Sequence, residues 1–166
     1  MNPIEPWMRG ILPDIHPVTG HLLRAIEQIR EDTEATLNGL SVPQIWAKPH
    51  GMSSVGFHAK HLAGSTERLN TYLAGQSLTP EQLSAIEAES HGDESSAGLL
   101  AGIQTALQHY EDSVRQLKPE DFAAIREIGR KRYQTTAISV AIHAMEHAQR
   151  HTGGMIAAAK LVRALG

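Results

Sequence analysis

Cysteine is absent from the 166 residues. Its absence excludes disulfides, thiolate zinc sites, c-type haem attachment and iron–sulfur clusters. Any metal would have to be held by histidine, carboxylate or water. An excess of positive charge is also missing. The formal charge is −3, so nothing draws the chain toward DNA, RNA or an anionic membrane. No nucleic-acid or membrane partner is expected, and a small-molecule substrate is the natural alternative. No apolar run approaches the roughly 20 residues that span a bilayer. The opening stretch MNPIEPWMRGILPDIHPVTG is interrupted by prolines and has no continuous apolar core, so it does not read as a signal peptide. The expectation is a cytoplasmic protein. Internal repeats, low-complexity segments and convincing period-2 alternation are lacking as well, and no strand is expected.

What remains is ordinary globular material, 41% hydrophobic and 20% charged, enough for one domain over residues 1–166 with its own core. Apolar spacing is helical almost throughout. Val18, Leu22, Ile26, Ile29 and Leu37 form one stripe, stopped by Asn38-Gly39. After a loop with Pro43 and Pro49, Ser53 or Ser54 can cap a second helix carrying Val55, Leu62, Leu69 and Leu73. Thr79-Pro80-Glu81-Gln82 has the form of a capping box and predicts a short helix through Glu89. Leu99, Ile103, Leu107, Tyr110, Val114 and Leu117 make the cleanest amphipathic stripe, and a last long helix starts near Thr136. This pattern predicts an all-α protein, an antiparallel four-helix bundle with short extra helices in its connections. Trp7 is expected to anchor the leading arm.

The last helix carries HAMEHAQRHTGG, with His143, His147 and His151 four residues apart. Between Gln134 and Ala159 its only charged residues are Glu146 and Arg150, an expected i,i+4 pair. A helix apolar around most of its circumference is buried around most of it, so the histidines are expected to point inward. Neighbours at i,i+4 have Cβ atoms about 5–6 Å apart and can converge on one ion. His143 and His151 are about 12 Å apart along the axis, so one ion cannot take all three. His143 is therefore expected behind the ligands or in the core.

Three motifs compete for this row. HAMEH matches the inverted zinc-protease pattern H-x-x-E-H, but no acidic residue follows Glu146 to complete such a site. A di-iron bundle needs two Glu-x-x-His pairs, and no glutamate here has a histidine three residues later. A His-x-x-x-His pair joined by a histidine from another helix survives. The second helix supplies candidates in SVGFHAKHLAGS, where His58 and His61 can share a face. Periodicity slightly prefers His58, nearer the Val55/Leu62/Leu69 stripe. Neither Glu146 nor Glu67 is singled out as a hydrogen-bond partner for a ligand imidazole. The other histidines and the Arg130-Lys131-Arg132 run are read as solvated or structural, and His109 as exposed.

The pairing of SVGFHAKHLAGSTERL with EHAQRHTGG resembles the DinB-like (DinB/YfiT) superfamily of metal-binding four-helix bundles. The similarity runs in order over nearly the whole chain and includes a WxxP loop at Trp46 and Pro49. It implies a metal held by His61, His147 and His151. One departure is Gly153-Gly154, where the family usually has Gly-Gln. The resemblance further implies a divalent transition metal, zinc or nickel before others. It implies activation of a low-molecular-weight thiol or water, as in the family's S-transferases and isomerases, and a possible homodimer. A non-catalytic, metal-stabilised bundle that binds a ligand or partner is the alternative.

Overall fold

The computed structural model describes residues 4–165. Six α-helices carry most of the chain: α1 (Pro17–Leu37), α2 (Val42–Trp46), α3 (Val55–Leu73), α4 (Pro80–Ala88), α5 (Ser96–Gln116) and α6 (Ala137–Leu165). Their boundaries follow local chemistry. His16 Nδ1 accepts from the Val18 amide at the start of α1, ahead of Pro17 at the first helical position. Gly39, at φ +75°, closes that helix. Capping boxes at Ser41/Gln44 and Thr79/Gln82 open α2 and α4. Ser54 and Ser95 accept from the Phe57 and Gly98 amides to start α3 and α5.

The four long helices form a closed ring in which α3 packs on α5 and α6, and α1 packs on the same two. Cross-links give their directions. At their C-terminal ends α1 and α6 meet through Arg163, which donates to the Thr36 and Asn38 carbonyls. At their starts they meet around Phe122, whose ring lies on His16 and whose carbonyl accepts from the Ile138 amide. So α1 and α6 run the same way. Helix α3 runs against α6, since His58 faces His151 and His61 faces His147. Helix α5 runs against α1, with Ser96 bonded to the Leu40 carbonyl and Arg30 to Gln108 and Glu111. Two helices therefore point each way, and each helix has one parallel and one opposed neighbour.

The core lies inside this ring. Ile26, Ile29, Leu62, Ile103, Leu107 and Tyr110 are fully buried, each apolar side chain contributing about 1.5–3 kcal/mol by leaving water. The Tyr110 hydroxyl donates to the Ala141 carbonyl at 2.6 Å, which satisfies the one polar atom that burial would otherwise strand.

Two expectations are corrected. A two-stranded antiparallel hairpin, β1 (Ile125–Ile128) paired with β2 (Tyr133–Thr136), replaces the irregular lead-in to α6. Its four-residue strands are too short for alternation to stand out, and its turn uses Gly129 and Arg132 at positive φ. Trp7 is not a buried anchor, being 62% exposed. The arm is held instead by buried Pro6, by Arg9 paired with Glu31, and by Arg24 donating to the Arg9 and Gly10 carbonyls.

Candidate metal centre

Helices α3 and α6 run in opposite directions side by side, so histidines at i,i+3 on one and i,i+4 on the other meet across the contact. The structure brings His61, His147 and His151 together, with one nitrogen of each within 4.8 Å of the others. His61 Nε2 and His147 Nε2 lie 3.0 Å apart. Two nitrogens bound to one tetrahedral ion at roughly 2.0–2.1 Å would lie about 3.3 Å apart. The spacing fits a shared cation.

The outer nitrogens sharpen that fit. His61 Nδ1 is 2.6 Å from Glu89 Oε2. A carboxylate only accepts, so Nδ1 carries a proton, and in the neutral ring the lone pair is on Nε2, facing His147. The other Glu89 oxygen accepts from Arg68 Nη1 at 2.6 Å. Glu89 and Arg68 are 4% and 9% exposed, a buried ion pair ending on the site. Burial pushes the Glu89 pKa up, but the hydrogen bonds from His61 and Arg68 and their charge outweigh it, and the carboxyl stays ionised below its ordinary range. On the other side, His151 Nδ1 is 3.2 Å from His58 Nδ1.

Burial, followed by the charge of neighbouring His61, lowers the pKa of His147 and His58, and takes His151 down to about 4. These imidazoles are neutral near pH 7 and keep the lone pairs that coordination needs.

Other sequence readings fall elsewhere. His58, which periodicity prefers for the site, is outside the three-nitrogen cluster and stands behind His151. His143 is neither core nor behind a ligand. Its side chain is 52% exposed and lies 3.6 Å from Glu146. Glu146 thus faces His143, and the expected Glu146–Arg150 bridge does not form among the described residues. Glu67 pairs with exposed His109 at 2.7 Å. Glu89 and Arg68 were not singled out by sequence. Their signal was faint, a glycine one turn beyond His61: a Cβ on Gly64 would collide with Glu89 Oε1. Only glycine there lets the carboxylate reach α3.

A mainly helical ring with three half-buried histidines at one helix pair defines a protein that could hold a divalent metal ion. The family model of the DinB superfamily matches residues 25–155, which include all three histidines, and the chain belongs to that superfamily. No curated protein matches it. No helix among the described residues is long and apolar enough to cross a membrane.

Proposed function

We propose that this protein is a metal-dependent enzyme in which His61, His147 and His151 hold a divalent transition ion beside which a low-molecular-weight thiol, or water, is activated for transfer to an electrophile. Zinc and nickel are the first candidates, since both accept imidazole. The bundle supplies the frame, with two helices running each way so that α3 and α6 present their histidines to one point. The observation that carries the reading is the convergence of three imidazoles, two of them held from behind through their outer nitrogens. Three protein ligands leave a coordination position open, the pattern of catalytic rather than structural sites. A divalent ion among neutral ligands keeps its full charge and acidifies a thiol or water beside it.

The chain's own contribution is positional. Glu89 fixes the proton on His61 Nδ1, and Arg68 holds Glu89 in place. With no cysteine in the chain the sulfur nucleophile comes from outside. That sulfur would lose its proton to water and form the new bond to the electrophile, and the leaving group would depart with its electron pair and take up a proton from water.

A second reading, a metal-stabilised bundle that binds a ligand without catalysis, is favoured by the position of a cavity away from the histidines. That cavity, about 1070 Å³, lies between α1, α6 and the leading arm, lined by Trp7, Leu22, Ile142 and Met145 rather than by the three histidines. Metal content by plasma mass spectrometry tests the shared premise. Stoichiometric metal in the wild type with loss in His147→Ala supports the site, and none in either protein after reconstitution with zinc and nickel rejects both readings. A panel of thiols and electrophiles then separates them: turnover that needs both metal and thiol supports the enzyme, and an ion inert to added thiol supports the binding module.

A further inference from the structure

His151 is followed one turn later by Gly154, and that glycine faces a ring rather than open space. A Cβ on Gly154 would lie 2.5 Å from His58 Cε1, 2.9 Å from Nε2 and 3.0 Å from Nδ1. Two of these contacts are under 3.0 Å and the third is at 3.0 Å, so the ring would have to shift to admit any side chain at 154. The His58 imidazole therefore occupies the volume that any larger residue at 154 would claim. From there its Nδ1 makes a 3.2 Å hydrogen bond to Nδ1 of His151. Its ring also stands edge-on to Phe57, with centroids 5.4 Å apart, which limits where it can swing.

Of the two nitrogens in this bond one must donate and the other accept. Only one choice leaves His151 useful to the cluster: Nδ1–H of His151 donates, and its Nε2 keeps a lone pair. His58 then accepts at Nδ1 and carries its own proton at Nε2.

We infer that His58 is a positioning residue for His151, seated in a socket that Gly154 keeps open, and that it selects the tautomer presenting Nε2 of His151 to the ion. The inference rests on the metal reading above. It makes the glycine at 154 a requirement of this site: His58 takes the space, and the bond, that a side chain from α6 could otherwise supply.

The test pairs two readouts on the full chain. Nitrogen-15 histidine spectra of metal-free protein are expected to show His151 as the Nδ1–H tautomer and His58 as the Nε2–H tautomer. Zinc affinity, measured by chelator competition, is expected to fall about 10–100-fold in His58→Ala and in Gly154→Ala, the range typical of lost partners to metal-binding histidines. The double variant should be no weaker than His58→Ala, because Gly154→Ala acts only by displacing that ring. His58→Asn, which places an oxygen near the position of Nδ1, should recover part of the loss.

Wild-type affinity in His58→Ala overturns the inference, as does a double variant in which the two losses add. So does a fall in thermal stability without a fall in affinity, which would mark His58 as packing alone. The outcomes separate the two claims. If wild-type protein takes up neither zinc nor nickel, the metal reading fails, and the His151 tautomer alone decides the positioning role. If it takes up zinc and His58→Ala does equally well, the metal reading stands and this one falls.

Discussion

The two helices that build the cluster support their histidines by opposite means. On α3, His61 is backed by the buried carboxylate of Glu89, itself tied to Arg68. On α6, His151 is backed by the half-buried imidazole of His58. A carboxylate brings charge: it raises the basicity of the imidazole it touches and strengthens its hold on a cation. An imidazole brings direction without charge. The geometry of the two supports is nonetheless alike. Each occupies the space beside a glycine one turn beyond the histidine it serves, Gly64 after His61 and Gly154 after His151. Orientation is obtained at both positions, and electrostatic reinforcement at one.

The largest effect expected from breaking that asymmetry is at Glu89. Glu89→Ala leaves Arg68 buried without its partner, and removing one member of a buried pair costs about 3–5 kcal/mol. Chemical denaturation of metal-free protein measures it. Glu89→Gln keeps an oxygen for Arg68 but removes the charge. Its folding cost should be smaller, while zinc affinity drops about 10–100-fold. The amide that would then face His61 Nδ1 cannot accept, so equal affinities for Glu89→Gln and wild type would show that neither the charge nor the bond to His61 adds to the hold on the ion, and the contrast between the two sides would vanish.

The helices themselves were legible because their signals are local. Caps at Ser54 and Thr79, the stop at Asn38-Gly39 and the 3.6-residue stripes all lie within a few residues of what they specify. The hairpin escaped because strands of four residues give alternation no length to declare itself. At the site, spacing identified the α6 row, but the α3 stripe pointed to His58. An apolar stripe marks the face turned to the core, whereas a nitrogen that meets another helix comes from the stripe's edge, where His61 sits. Glu89 lies at the C-terminal cap of α4, 28 residues from His61, and no spacing rule links a cap to a partner at that distance. The repeated His-x-x-Gly of HLAG and HTGG was the readable trace of both supports.

Acid should separate the two sides by pH window. His151 has its pKa lowered from 6.5 to about 4 by burial and neighbouring charge. The unfolded chain binds that proton more readily than the folded one. The associated stability is therefore fully present above pH 6.5 and is lost as pH falls toward about 4. Glu89 is shifted down from 4.5, so its contribution holds above that value and is lost only below it, as the carboxylate protonates. Melting of metal-free wild type should begin to fall near pH 6.5, by on the order of 1 kcal/mol for a half-exposed histidine after solvent screening. His151→Gln should shrink that upper limb, to which His58 and His147 also contribute, and leave the lower one. A lower limb that moves with His151→Gln would show the two sides to be one coupled unit.

The smallest effect belongs to the residue that the four-residue spacing ranks equally with the others. His143 shares the row on α6, but it faces solvent and meets exposed Glu146 rather than the cluster. Its ring centroid is 5.7 Å from that of His147, near enough to be a neighbour, with no hydrogen bond between the two rings among the described residues. Surface substitutions of this kind usually stay within about 0.5 kcal/mol. His143→Ala should therefore leave stability and zinc affinity close to wild type when measured beside His58→Ala. The pair makes a direct contrast, since both residues adjoin a histidine of the cluster and only one has a nitrogen bonded to it. A loss in His143→Ala as large as in His58→Ala would mean that proximity alone supports the cluster, and that the hydrogen bonds behind His61 and His151 are not what hold it.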